Sequence, residues 1–404
     1  AKICLIEDFA PKTARTFEVA RTARFAKGSG MPISIPVIEM IEIGAGGGSL
    51  AWVDALGRIQ TGPESAASEP GPACYQRGGE RPAITDADLV LGKLDPENFA
   101  GGAIRLSTAK AEAAIARDVG DRLNLGPEPA AFGICEVVDE NMANAARVHA
   151  VENGKNISDN IMVAFGGAAP LHAARLCEKL GIDRCLIPPG AGVGSAIGFL
   201  KAPFGYEALA SRIIGLSGFD PAAVNALVEG LRATAEGFVR QGTSGRILCE
   251  IVAFMRYRGQ GWEIPVPLPV RPFTAEDAGL IRARFLDAYA RFFGRAIDGL
   301  SGLEIEIVTL SVKASDQRAE PDRHSLTPGR SEAPVPLSRA VFDPARGEAL
   351  PTAILDRAAL APGMRVQGPA VIVERETSTV VTSPFDAVMQ GDGSLLLTRK
   401  EAAE

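Results

Sequence analysis

At 404 residues the chain exceeds one average domain, and its length suggests two or three. With 42 basic against 49 acidic residues the formal net charge is −7, which argues against a nucleic-acid partner and its need for a basic face. The chain is 46% hydrophobic and 23% charged, a globular composition that excludes coiled coil, collagen and wholesale disorder. Aromatics make up only 6%, so small aliphatic residues must do most of the packing.

The chain opens AKICLIED, an apolar, strand-like run that needs a pairing partner, and FAPKT follows as a turn. The orphan strand suggests a fragment whose first pairing partner lies upstream. Residues 31–53 read as strand, glycine loop, strand: MPISIPVIEMIEI, GAGGGS and LAWVD. Gly57 to Gly79 is a long Gly/Pro/Ser loop, and 107–119 is a helix closed by Gly120. A stronger helix is expected from about Pro129 to Asn153. Its apolar face carries Ile134, Val137, Val138, Met142, Ala145, Val148 and Val151, and Gly154 ends it. IMVAF (161–165) is a short buried strand, GGAAP a loop, LHAARLCEKL a helix stopped by Gly181, and RCLIPP a second strand. This alternation means a parallel or mixed α/β sheet.

After about Tyr206 the texture changes. Asp220-Pro221 starts a helix to about Arg240, LCEIVAFMRYRGQGWEIPVPLPV alternates like a strand pair, and 274–293 is an amphipathic helix opened by Thr274-x-x-Asp277. LEIEIVTLSVKA (303–314) alternates cleanly as a strand. The expected domains are 1–205, an α+β region over 206–314, a linker over 315–337 and a small β module over 338–404. The six cysteines contain no CxxC pair and read as reduced core thiols, and no run approaches the roughly 18 apolar residues of a membrane helix. A cytoplasmic protein without membrane partners is expected.

Three constellations stand out for chemistry. In Val163-Ala-Phe-Gly-Gly-Ala-Ala-Pro-Leu-His172, a buried strand meets paired glycines that open a helix. Glycines permit close backbone approach and the helix N-terminus offers N–H groups, which suits a nucleotide's sugar or phosphate; a tight turn needing small residues is the plainer reading. Gly44-Ala-Gly-Gly-Gly-Ser49 is either a backbone cradle for an anion or a hinge, and it is neither a Walker loop nor GxGxxG. Glu39 and Glu42 precede it, while Asp86 and Asp88 lie downstream. Such carboxylates can hold Mg²⁺ or orient a water, whereas Asp86 reads equally as a helix cap. His172 lies four residues beyond Gly-Gly-Ala, within reach of a ligand there, or is a satisfied helix-start histidine. Arg256-Tyr-Arg-Gly-Gln260 reads first as a structural hairpin.

Eight collinear segments resemble the hydantoinase A/5-oxoprolinase family, which includes the corresponding subunits of acetone and acetophenone carboxylases. They are IEIGAGGGSLAWVD, SEPGPACYQRGG, PAITDADLVLGKLDPENFAGG, ENMANAARVHAVE, VAFGGAAPLHAARLCEKLG, IPPGAGVGSAIGFL, MRYRGQGWEIPVP and GPAVIVERETSTVV. The resemblance implies an α/β nucleotide-binding core like that of actin, Hsp70 and sugar kinases, truncated at its N-terminus here. It also implies Mg-ATP used to phosphorylate the carbonyl of a cyclic amide, with hydrolysis completed by a hydantoinase B-type subunit.

By the resemblance, Gly166, Gly167, Ala168 and His172 inherit nucleotide contacts. Gly44, Gly46, Gly47, Gly48 and Ser49 become active-site backbone, and Asn141 faces the core. Asp86, Asp88 and Glu42 are the catalytic candidates, and no metal ligand is assigned. Where the family's hydantoinase branch carries Asp-x-His-Thr, this chain reads Glu39-Met40-Ile41-Glu42, so that histidine's role does not transfer. The family's two phosphate loops, of Asp-Gly-Gly-Thr and Gly-Thr type, precede the matched region and are not in this sequence. The leading expectation is a component of an ATP-dependent cyclic-amide hydrolase, inactive alone, that needs the missing N-terminal half of the core. The alternatives are a subunit of an ATP-dependent ketone carboxylase and a non-catalytic docking piece.

Overall fold

Residues 1–19, 29–293, 302–317 and 324–401 are described by a computed structural model, in which the chain separates into two units. One combines 1–199 with 323–404, and the other is 200–322.

In the first unit, short β-branched and aliphatic runs build a six-stranded mixed sheet. Its order is Ser331–Glu332, Met364–Gln367, Phe385–Met389, Leu395–Arg399, Arg184–Ile187 and Met162–Val163. Met162–Val163 and Arg184–Ile187 run parallel, with the Ala169–Leu180 helix as their crossover, the expected βαβ unit. Leu395–Arg399 joins antiparallel on the other side with Cys185 opposite Leu397. A separate four-stranded sheet comprises Leu337–Asp343, Glu348–Asp356, Ala370–Val373 and Ser378–Val381. The separate β module expected over 338–404 is therefore sheet of the first unit. The apolar faces of these strands, among them Ile372, Phe385 and Leu397, are fully buried in one cluster with Ala173, Cys177 and Ile187. Ser331–Glu332, inside the expected 315–337 linker, is the edge strand of that sheet, while 318–323 lie outside the described residues.

Four further expectations need adjustment. Lys2–Cys4 pairs antiparallel with Met40–Glu42, so the orphan strand has its partner within the chain. The 107–119 helix does not stop at Gly120; it passes through a wide turn at Ala116–Gly120 and ends at Asn124 in the left-handed conformation. The long helix runs Pro127–Glu152, and its inward face carries the expected Ile134, Val138 and Ala145 together with Cys135, Asp139, Ala146 and His149, while Val151 is 73% exposed. IMVAF is not buried throughout: Val163 is 45% and Phe165 51% exposed.

The second unit is a four-stranded antiparallel sheet in the order Gly205–Gly215, Ile305–Asp316, Ile247–Tyr257, Ile264–Leu268. The Pro221–Val239 and Asp277–Phe293 helices are its crossovers, giving two interleaved split βαβ units. Alternate residues Ile251, Ala253, Met255 and Tyr257 meet Ile281, Phe285 and Tyr289 at helical spacing. Both helix starts are locally encoded. Asp220 accepts the Ala222 and Ala223 N–H groups ahead of Pro221, and Asp277 accepts the Thr274 N–H at 2.7 Å. Among the described residues no helix is long and apolar enough to cross a membrane.

Candidate functional site

The glycine loop 44–49 is closed by its own serine. Gly46 N–H donates to Ser49 Oγ at 3.1 Å, and that hydroxyl donates to Gly44 O at 3.4 Å. The loop is then anchored on the Ile84–Val90 helix, where both the N–H and the hydroxyl of Thr85 donate to Gly47 O, each at 2.9 Å. A Cβ on Gly47 would sit 2.9 Å from Thr85 Oγ1, closer than a carbon tolerates, so this approach requires glycine. The same added Cβ would lie 3.7 Å from the Ala168 Cβ. The two glycine loops singled out in the sequence thus lie side by side, with room between them for little more than the side chain that Gly47 lacks.

On the second loop, Gly166 has φ +121° and donates its N–H to Ala191 O at 2.7 Å. The Ala169–Leu180 helix follows at once, and Ala168 caps it with no side-chain acceptor. Its first-turn N–H groups therefore have no side-chain partner at the cap, and the dipole's positive end lies where the loops meet. Around Gly46 there is open space. Backbone with this freedom fits the phosphate or sugar of a nucleotide.

The Ile84–Val90 helix links the two loops through a buried charge cluster. Asp88 Oδ1 accepts from Lys93 Nζ at 2.8 Å, and its Oδ2 lies 3.2 Å from His172 Nε2, on the helix that follows Gly166-Gly167. The other face of His172 is met by Asp139, with Nδ1 and Oδ1 2.8 Å apart at an angle poor for a hydrogen bond. All four side chains are at most 7% exposed. Burial pushes against the charged forms, but each partner outweighs it. Lys93 and His172 hold the Asp88 carboxyl well below the usual range, and Asp88 with Asp139 raises His172 to about 9. Lys93 is likewise raised by Asp88 against its own burial. Two carboxylates and two cations make a locally neutral set. Cys135 adjoins it, its thiol 3.4 Å from Asp88 Oδ1 and pushed up by burial.

These partners change the roles expected for the carboxylates. Asp86 is fully buried and its oxygens accept the N–H groups of Ala73, Cys74 and Ala83 at 3.2, 2.7 and 2.7 Å. It braces the 73–74 turn against the start of its own helix, as a third-position acceptor with Ala83 as the cap. Burial raises its carboxyl, and the N–H donors oppose that. Both oxygens of Asp86 thus accept backbone N–H groups, and both oxygens of Asp88 face its ion-pair partners. Glu42 stands on the edge strand, half exposed, and pairs with Lys2 at 2.8 Å. Asn141 donates to Thr61 Oγ1 at 3.4 Å. His172 is buried between two aspartates, Asp88 at 3.2 Å and Asp139 at 2.8 Å. Lys93, Asp139 and Thr377 are site residues to which the sequence reading assigns no role. A lysine inside the apolar run Leu89-Val-Leu-Gly-Lys-Leu94 was the available signal for the buried cluster. Among the described residues no group of three or more His, Cys, Asp or Glu side chains is placed to hold a metal ion.

The chain matches two family models: Hydantoinase/oxoprolinase over residues 1–208, and the Hydantoinase/oxoprolinase C-terminal domain over 223–401. It is 32% identical to an uncharacterized protein of Methanocaldococcus jannaschii, over 99% of this chain and 57% of that one. It is also 32% identical to the caprolactamase subunit alpha of Pseudomonas jessenii, over 86% of this chain and 51% of that subunit. The nucleotide-free structure of acetone carboxylase superposes with a TM-score of 0.82 at 25% identity, over 99% of this chain and 57% of that chain. The chain spans about half the length of these relatives. It belongs to the hydantoinase/oxoprolinase family.

Proposed function

We propose that this chain is the nucleotide-loop component of an ATP-dependent hydrolase of cyclic amides. The observation that carries the reading is the juxtaposition of the 44–49 and 166–168 glycine loops at a helix start with no side-chain cap. ATP-dependent caprolactamase and acetone carboxylase, both structural relatives, support the nucleotide. Gly46, Gly47, Gly48 and Ser49 would line one side of the bound nucleotide, with Gly166, Gly167 and Ala168 on the other. ATP supplies a γ-phosphoryl group that a ring amide oxygen accepts with loss of ADP, leaving a more electrophilic carbon for water. The Thr85 and Asp88–His172 contacts hold the two loops at a fixed separation for that transfer. Mg²⁺ is proposed only as the companion of the phosphates, because Asp86 and Asp88 already have partners.

Relatives that are themselves subunits, the caprolactamase subunit alpha and the acetone carboxylase beta subunit, support a partner. The row Ile161, Val163 and Phe165, exposed by 49%, 45% and 51%, is proposed as the seat of the remaining half of the core, and a B-type subunit completes hydrolysis. A second reading, ATP-dependent carboxylation of a ketone, is favoured by the acetone carboxylase superposition at TM-score 0.82. ADP release by the complete assembly separates them. A hydantoin or 5-oxoproline should stimulate it. Stimulation only by acetone with bicarbonate establishes the carboxylase reading, and stimulation by neither refutes both. Purified 1–404 alone should release no ADP, and robust turnover by it would contradict the need for a partner.

A further inference from the structure

The segment Glu374-Arg-Glu-Thr377 lies far along the chain from the glycine loops, yet it is seated on three glycines. A Cβ on Gly192 would fall 2.5 Å from Glu376 Cβ and 2.7 Å from its carbonyl, and one on Gly101 would fall 2.8 Å from Arg375 Cγ. At the third, Gly167, Thr377 Oγ1 donates to the carbonyl at 2.9 Å, and the threonine is only 7% exposed. The turn is closed by Glu374 N–H donating to Thr377 O at 2.9 Å.

Arg357 fixes this turn in place. Its Nη1 donates to Glu374 Oε1 at 2.6 Å, and the pair is 9% and 11% exposed. Its Nη2 donates to Ile187 O at 3.0 Å and Gly393 O at 2.7 Å, tying in the strand just before the 189–194 turn. That turn in turn accepts the Gly166 N–H at Ala191 O. One guanidinium thus joins the end of the Arg184–Ile187 strand, the 390–394 turn and the Glu374 carboxylate.

We infer that Thr377, held by the Arg357–Glu374 pair, is a positioning residue that sets the orientation of the Gly167–Ala168 peptide. A trans peptide is planar, so fixing the Gly167 carbonyl toward Thr377 aims the Ala168 N–H the opposite way. The 324–401 segment then contributes to ligand affinity as well as to the sheet. This rests on the reading of 166–168 as the nucleotide loop.

The test uses the complete active assembly and the chain itself. Thr377→Val keeps the shape and removes the donor; it should raise KM for ATP about tenfold with kcat within about twofold, and Thr377→Ser should restore KM. In the chain without nucleotide, hydrogen exchange over 164–170 should quicken in Thr377→Val and recover in Thr377→Ser. Should Thr377→Val fail to fold, Arg357→Lys carries the test, and exchange should quicken over both 164–170 and 374–377. Wild-type KM and wild-type exchange in Thr377→Val, or no recovery with serine, would overturn the inference. An assembly that does not use ATP would overturn the nucleotide reading instead, and exchange over 164–170 would still decide whether Thr377 holds the loop.

Discussion

A lysine and a histidine sealed from water require counter-charges, and Asp88 stands between them. Removing it leaves Lys93 and His172 with Asp139 as the only other carboxylate of the cluster, so Asp88→Asn should lower unfolding stability by about 3–5 kcal/mol in denaturant titration. His172 adds a pH dependence with a definite sign. Its folded pKa of about 9 lies above the usual 6.5, so its stabilisation is complete below pH 6.5 and is lost as pH rises through 9. The loss is on the order of 3 kcal/mol at most. Stability measured from pH 6 to 10 should fall across that window in the wild type, and the fall should flatten in His172→Gln. An unchanged slope in the variant would show that another group titrates there.

At the scale of elements, the Ile84–Val90 helix is the bracket between both glycine loops. Gly47→Ala would push its new methyl to 2.9 Å from Thr85 Oγ1 and should cost about 1–3 kcal/mol, while Gly46→Ala, in open space, should cost far less; thermal melts compare them directly. In the second unit, Phe285 is fully buried among Tyr257 and Tyr289, and Phe285→Ala should cost about 3–5 kcal/mol. The helix starts at Asp220 and Thr274 were legible in the sequence because caps are local, as was the alternation of 303–314. On Pro127–Glu152 the expected inward residues Ile134, Val138 and Ala145 are buried, but the face is wider than apolar periodicity marks. Asp139 is turned inward by His172, a partner in another helix that apolar periodicity cannot register, and Val151 is left outside. The glycine loops were legible as loops, but Thr85 and Thr377 hold them by hydroxyl-to-carbonyl bonds that no spacing rule anticipates.

For the molecule as a whole, the assignment of 338–404 as a separate module failed for the same reason. A period of two marks a strand without naming its neighbour, and Leu395–Arg399 finds Arg184–Ile187 across the length of the chain. Ending the chain at residue 322 would strip that sheet of four of its six strands, so 1–322 should lack the cooperative unfolding of 1–404 in calorimetry. The most direct measurement of the central claim is photo-crosslinking of the complete assembly with an azido-ATP, followed by peptide mapping. Label in peptides covering 42–53 and 164–180, competed away by ATP, is the expected result. Label that avoids both segments, or that ATP does not displace, would contradict a nucleotide site at the two glycine loops.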